Sequence, residues 1–379
     1  MSIHINKVSQ VAVWGSYLWG NFGDDVMAIM ISRHLQKQGF HPVVYKLDPK
    51  LAKHYGISSE SDLDTLLSSS VACIIGGGGF LCSSSGVHLM DSEYKHFYLS
   101  LLNHSIPVHF CSIGGDGSSS LPLLSLYLTK LFLLPNVKSG TVRLETDLKI
   151  FQEIGIHSEF YPDIILSSPM FFPLEHKTND ENNSKKKRKL SIIMNFGKSN
   201  KMDILGKLIS LIFPLLSIRV TYLRTHLSWL NPSNPPFLDY EYLGSESNEQ
   251  NVIYENVEQV RDALINCDLI ISSKLHVGVF ALSYGVPFMS INGAKKTQSF
   301  LDQAEIKSSY LNTRGFSLSV IWRIFLLLLN RKKILFMTDA IKNNSKLKSL
   351  IEQSFGHFYS IDRFLSEHSI LTGGLKTDH

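Results

Sequence analysis

Apolar residues fall in short unbroken runs separated by segments of helical length, and this spacing organises most of the chain. Gln10 to Trp14 reads as a strand running into a glycine-bearing loop, Gly15 to Gly23, followed by a helix with Met27, Met30, Ile31 and Leu35 on one face. Gly39 ends that helix, Pro42 to Tyr45 reads as the next strand, and Ser59 to Leu67 as a polar helix. Val71 to Ile75 is a buried-type strand that Gly76 to Gly79 should stop, and Pro107 to Ile113 is a further strand ending at Gly114-Gly115-Asp116-Gly117. Strands without polar alternation, separated by helices, indicate a parallel sheet covered on both faces. In such sheets ligands bind beyond the carboxyl ends of the strands, and three of the loops there are the glycine-rich ones.

Between His176 and Lys189 the pattern breaks, because Lys177 to Ser184 and the basic run Lys185 to Lys189 contain no apolar side chain. This reads as a solvated linker. The alternation then restarts with the strand Leu190 to Met194, the helix Met202 to Phe213 and the strand Arg219 to Leu223. A proline-bearing loop, Ser228 to Gly244, precedes the helix Val257 to Ile265, the strand Leu269 to Ile271, the helix Val277 to Tyr284 and the strand Val286 to Ile291. Helices should dominate from Ser317 onward, with a frayed tail after Leu371. The expected fold class is therefore α/β, with two Rossmann-like, doubly wound domains. The expected division is an N-terminal domain over 1–176, a linker over 177–189, a second domain over 190–316, and C-terminal helices and tail over 317–379.

Composition narrows the function classes. With 379 residues, 44% apolar and 18% charged, the chain can bury two cores without disulfide or metal staples. A net charge of +4 is too mild to imply nucleic-acid binding, though it tolerates a small anionic substrate. Cys73, Cys82, Cys111 and Cys267 form no metal-binding or redox pair and read as buried reduced thiols. The first residues lack the pattern of a secretory signal, which suggests the cytoplasm. Phe316 to Asn330 is apolar but interrupted by Arg323, and it is shorter than the roughly 20 residues a bilayer span needs. A buried helix is favoured there over a helix lying on an anionic membrane face, and the same choice applies to Leu121 to Leu134. Gly15, Gly20 and Gly23 are spaced wrongly for a dinucleotide fingerprint, no P-loop or HExxH occurs, and no motif calls for a metal.

The segment Ser272-Ser273-Lys274-Leu275-His276 stands where a strand gives way to a helix, so polar side chains meet a helix N-terminus that suits an anion. The same residues also make an ordinary helix start. Taken in order, Gly20-Asn21-Phe22-Gly23-Asp24-Asp25, Gly76 to Gly79 with Phe80, Val142-Arg143 with Glu145, Pro162-Asp163, Lys274-Leu275-His276 and Gly285-Val286-Pro287 resemble the polysaccharide pyruvyl transferase family over roughly Val11 to Leu301. The resemblance implies two Rossmann-like domains facing across a cleft, as in GT-B glycosyltransferases, with the acceptor side N-terminal and the donor side C-terminal. It also implies transfer of pyruvate from phosphoenolpyruvate to a saccharide as a ketal, with phosphoenolpyruvate as donor substrate and no further cofactor. The acceptor would be a saccharide, soluble or lipid-linked, at the inner face of the membrane in the latter case.

By the same resemblance the family's Arg-Leu-His motif falls on Lys274, Leu275 and His276, its earlier arginine on Arg143, and its lysine after the Gly-Val-Pro strand on Lys296, with Lys295 as the register alternative. Lys274 departs from the usual Arg, which replaces a bidentate fork with a point charge; Leu144 and Asp147 replace the usual Asp and Ser. The donor's carboxylate and phosphate call for cations, supplied here by Arg143, Lys274 and Lys296, and the enol carbon calls for a proton donor. His276 suits that role because imidazole titrates near pH 6.5, and a capping or phosphate-binding role is its alternative. Asp163, the second candidate catalytic residue, either orients a basic side chain or accepts a hydroxyl proton, with closing a turn as its structural alternative. Asn21, Gly23 and Asp24 either hold acceptor hydroxyls or start a helix, and Gly77 and Gly78 allow either close ligand approach or a tight turn. Two rival functions remain: a nucleotide-sugar glycosyltransferase and a non-catalytic saccharide-binding or assembly protein on the same fold.

Overall fold

A computed structural model of the chain describes residues 8–81, 87–115, 124–174, 189–196, 218–227, 250–306, 309–311, 326, 330–368 and 370. It divides into two units, one comprising Met1–Gly20, Asp24–Ile164 and Gln353–His379, the other Asn21–Gly23 and Ile165–Glu352.

The first unit follows the strand-helix alternation of its sequence. Strand β1 (Gln10–Trp14) leads to α1 (Phe22–Lys37), β2 (His41–Tyr45), α2 (Pro49–Tyr55), β3 (Ser58–Glu60) and α3 (Leu63–Ser68). Then come β4 (Ala72–Leu81), α4 (Val87–Asn103), β5 (Val108–Gly115), α5 (Leu126–Phe132), β6 (Val137–Val142), α6 (Leu148–Glu153) and β7 (His157–Phe160). All neighbouring strands are parallel, in the order β3-β2-β1-β4-β5-β6-β7. The continuous apolar strands are buried on both faces, as the lack of alternation requires. Trp14 stacks on Phe97 at 4.3 Å between centroids, and Phe110, Phe132 and Phe151 pack edge-on and tilted around the middle of the sheet. Such rings stabilise by roughly 1.5–3 kcal/mol each when fully buried. Aspartates start two of the helices: Asp48 accepts from Lys50 and Leu51 N–H, and Asp62 from Thr65 N–H.

The second unit repeats this topology. It contains α7 (Ser168–Phe171), β8 (Leu190–Asn195), β9 (Ile218–Arg224), β10 (Gln250–Ile253), α8 (Val257–Ile265), β11 (Leu269–Ser272), α9 (Leu275–Ser283), β12 (Phe288–Ile291), α10 (Lys295–Gln303) and β13 (Tyr310–Leu311). Helices α11 (Arg331–Lys342) and α12 (Ser345–Ser354) follow. The sheet is again fully parallel, in the order β10-β9-β8-β11-β12-β13, with a core of Leu190, Ile192, Met194, Leu269, Ile271, Ile291 and Ile334. In both sheets the strand order reverses beside the first strand, between β1 and β4 and between β8 and β11, where doubly wound sheets bind ligands.

Several local expectations change. Ser58–Glu60 is an edge strand rather than the start of a helix: Glu60 carbonyl accepts the Lys46 N–H, Ser59 Oγ donates to Leu47 carbonyl, and the helix waits for the Asp62 cap. Strand β4 does not stop at Gly76 but runs through the glycines to Leu81, Gly76 pairing with Cys111 and Gly78 with Ile113 before the register shifts. Positive φ at Gly77 (38°) and Gly78 (125°) makes that continuation possible. Strands β6, β7, β10 and β13 are too short or too polar to stand out as apolar runs.

The units also divide elsewhere than at the expected boundary. The first unit ends at Ile164, and it takes back the last helix, α13 (Gly356–Glu367). A Cβ on Gly356 would collide with the Tyr161 ring, Arg363 pairs with Glu159, and His34 Nε2 lies 2.7 Å from Asp362 Oδ1. The linker at 177–188, the helix at 202–213, the loop at 228–244, Cys82 and nearly all of 316–329 lie outside the described residues, as does the start of 121–134. Cys73, Cys111 and Cys267 are buried free thiols, and burial pushes Cys267 up to about 12.

Candidate functional site

In the second unit the carboxyl ends of three strands are tied together by one asparagine. Asn195, the last residue of β8, donates from Nδ2 to Leu223 carbonyl on β9 at 2.8 Å and accepts from Ser272 Oγ of β11 at 2.9 Å. Its carbonyl accepts the Ser273 N–H, and Ser272 Oγ accepts the Lys274 N–H at 2.9 Å. This buried network turns the chain from β11 into α9 at the point where the strand order reverses. Buried amide and hydroxyl groups satisfied in this way fix a single backbone course.

Lys274 is therefore the residue before α9, in extended conformation, and Leu275 anchors the first turn in the core. Lys274 is half-buried and its Nζ donates to Thr225 Oγ1 at 3.0 Å. His276, also half-buried, lies against Gly23: a Cβ built on Gly23 would fall on the imidazole ring. The segment Asn21–Gly23 belongs to this unit. Asn21 bridges to His226, Phe22 N–H donates to Thr225 carbonyl at 2.8 Å, and the Phe22 ring packs edge-on against Tyr254 and Phe280. Asn21 Oδ1 also accepts the Gly23 N–H at 3.0 Å, which makes Asn21 a cap for α1. Asn21, Gly23, Lys274 and His276 thus come together around Thr225 and His226.

Those last two residues follow β9 and escaped the sequence reading. The signal was present in Thr225-His226 just past a strand's carboxyl end, but without the strand order nothing joined it to Lys274. Lys296 is the second residue of α10, one strand further along the sheet; it is half-buried while Lys295 is exposed, which favours Lys296 in the choice of register. The N-terminal turns of α9 and α10 carry backbone N–H groups with no partner inside the helix, a setting that attracts anions.

In the first unit Arg143 and Asp163 form a buried pair, Nη1 to Oδ2 3.2 Å, with side chains 2% and 3% exposed. Arg143 follows β6, and its stem lies so close to Gly114 that a Cβ there would come within 2.6 Å of Cγ. Asp147, one of the departures from the resemblance, accepts the Gly115 N–H at 2.7 Å and so braces the end of β5. Asp163 is thus paired with a basic side chain. Seen from a distance the pair is nearly neutral.

At the reversal point of the first sheet, Gly77 lies against Met27, and a Cβ on Gly78 would come 3.8 Å from Asp24 Oδ1. Tyr17 donates to Gly76 carbonyl at 3.0 Å, and its phenol is held well above the usual range by burial and by the nearby Asp24. The close approach these glycines allow is therefore partly to the protein itself.

The model of the polysaccharide pyruvyl transferase family matches residues 21–294, which includes each of these positions except Tyr17 and the whole of α10, with Lys295 and Lys296. The chain belongs to that family. No curated protein sequence matches it. Among solved structures it is similar to MnaA of S. aureus, solved with UDP, with 9% identity, 98% of this chain and 100% of that one covered, and a TM-score of 0.64. It is also similar to the UDP-GlcNAc 2-epimerases of Neisseria meningitidis (10% identity, 95% and 100% covered, TM-score 0.61) and Methanocaldococcus jannaschii (12%, 95% and 100%, 0.57). At such identities the likeness concerns the fold alone. These are GT-B-fold proteins, in agreement with the expected pair of Rossmann-like domains.

Proposed function

We propose that this family member transfers the pyruvyl group of phosphoenolpyruvate to a saccharide as a cyclic ketal. The observation that carries the proposal is the Lys274-Leu275-His276 turn, held at the reversal point of a parallel sheet with a half-buried cation and a half-buried imidazole at one helix N-terminus. Lys274, Lys296 and the two helix N-termini neutralise the donor's phosphate and carboxylate, and Arg143, aimed by Asp163, adds directed hydrogen bonds. Leu275 shapes the apolar side of the turn. His276 protonates the enol CH2, which leaves C2 electrophilic. One sugar hydroxyl adds to C2 and gives up its proton, inorganic phosphate departs, and a second hydroxyl closes the ring with loss of its proton. The products are the ketal and phosphate, and no redox step is involved.

The first unit is the acceptor side in this reading, with Asp24 and the backbone at Gly77 and Gly78 meeting sugar hydroxyls, while Asn21 and Gly23, in the second unit, shape the loop against His276. No helix among the described residues is long and apolar enough to cross a membrane. Helix α11 nevertheless leaves Leu335 and Phe336 exposed beside Lys332 and Lys333, a combination suited to an anionic bilayer surface, and this favours a lipid-linked saccharide as acceptor. Calorimetric titration with phosphoenolpyruvate tests the donor assignment: binding should weaken in Arg143→Ala and in Lys296→Ala, and binding unchanged in both contradicts it.

A further inference from the structure

The turn carrying Asp163 is held from both sides by groups that the proposed chemistry does not use. Ser112, within β5, has a left-handed backbone (φ 55°), a conformation uncommon for any residue but glycine. In that conformation its N–H donates to Thr141 Oγ1 at 2.9 Å and its Oγ accepts the Ile164 N–H at 3.2 Å. On the other side of Asp163, the Pro162 carbonyl meets His357 Nε2 at 2.9 Å, and His357 Nδ1 meets Thr141 Oγ1 at 2.7 Å. His357 belongs to α13, nearly 200 residues away in sequence, and is wholly buried, its ring edge-on to Tyr161.

Donor logic fixes each proton in this chain. A carbonyl only accepts, so Nε2 carries the ring hydrogen. Nδ1 is then bare and accepts from the Thr141 hydroxyl, whose oxygen in turn accepts from Ser112 N–H. The ring is neutral: burial pushes it down to about 3, against the pull of the Pro162 bond and with the Arg143 charge adding to the push. Every member of the chain is satisfied, and its tethers fall on Pro162 and Ile164, the two neighbours of Asp163. What the chain fixes is the backbone on either side of it.

We propose that His357 is a positioning residue: it holds Pro162 from the C-terminal helix while Ser112 holds Ile164, and together they aim Asp163 and, through it, the Arg143 guanidinium. As far as donor binding is concerned, this rests on the role given to Arg143 above. The C-terminal helix thereby becomes part of the machinery, although it stands outside the stretch matched by the family model.

Two substitutions separate the hydrogen bond from the packing. His357→Gln sets an amide N–H near the place of Nε2 and can keep the Pro162 bond, whereas His357→Asn sets its amide near Nδ1 and reaches only Thr141. The first readout needs no ligand: rotation of the Arg143 guanidinium, followed by nitrogen NMR of its Nη groups in the full chain. Separate, slowly exchanging Nη signals are expected in the wild type and in His357→Gln, and averaged signals in His357→Asn. Both variants remaining slow, or both averaging, overturns the proposal, because then either His357 is not needed or only its bulk matters. If His357→Asn does not fold, Ser112→Ala removes the opposite tether, and Nη signals that stay separate there overturn it equally.

Phosphoenolpyruvate affinity is the second readout. It should fall by about 10-fold in His357→Asn and stay near the wild-type value in His357→Gln, since misaimed binding groups commonly cost a factor of that order. Averaged Nη signals with unchanged affinity would remove Arg143 from donor binding and leave the positioning role standing.

Discussion

Arg143 and Asp163 in the first unit are buried together and braced by a hydrogen-bonded frame, whereas Lys274 and His276 in the second remain half-exposed on a turn fixed by backbone and hydroxyl bonds. Burying two charges is unfavourable unless each meets the other in a prepared geometry, so the first region needs Ser112, Thr141 and His357 around it. A half-exposed cation and imidazole keep much of their hydration and can meet a ligand with little rearrangement. The difference predicts that damage to the first region appears mainly as lost stability, and damage to the second mainly as lost turnover.

The largest effect should come from Asp163→Ala, which leaves Arg143 buried without its carboxylate. Breaking such a pair costs on the order of 3–5 kcal/mol, measurable by denaturant unfolding. A loss below about 1 kcal/mol would show that the pair behaves like a surface one and would erase the contrast. His276→Ala should leave the unfolding curve close to the wild type while turnover falls by on the order of 100-fold, the scale of losing a positioned acid. His276→Gln should be equally poor, and near-normal turnover in it would assign His276 hydrogen bonding alone. Gly23→Ala sharpens the same point from the neighbouring loop. Its methyl would collide with the imidazole, so turnover should drop by about 10-fold as the ring is displaced, with a smaller change in stability.

The smallest effect is on pH dependence and belongs to the first unit. His109 and His357 are both pushed down to about 3, chiefly by burial, while in the unfolded chain they titrate near 6.5. The unfolded state therefore binds more protons between those values. Their contribution is fully present above about pH 6.5 and declines as the pH falls toward 3. His109 stacks on Phe364 and His357 holds Pro162, so both losses bear on the docking of α13. Unfolding free energy measured from pH 7.5 down to pH 5 should decrease, and His357→Gln should flatten part of the slope.

The sequence disclosed the fold where burial left no polar alternation. Gln10–Trp14 and Leu190–Asn195 are legible as strands because both faces must be apolar, and the turn at Lys274 is legible because its three residues are contiguous. Val137–Val142 was not, since Lys138 and Ser139 break its apolar run and Gly140 is there for contact with Phe110. Thr225 and His226 reach Lys274 and Asn21 only through strand order. His357 reaches Thr141 only because the last helix returns to the first unit. Contacts between segments so distant in sequence leave no periodicity to read. The glycines after Ile75 misled for a related reason: their freedom at positive φ extends β4 rather than ending it.

Phosphate release from phosphoenolpyruvate measures the proposed reaction most directly. The purified chain, given phosphoenolpyruvate and a panel of soluble and lipid-linked saccharides, should release one inorganic phosphate per pyruvate ketal formed, and His276→Ala should nearly abolish that release. Turnover of a nucleotide sugar with no phosphate released from phosphoenolpyruvate under any acceptor would contradict it.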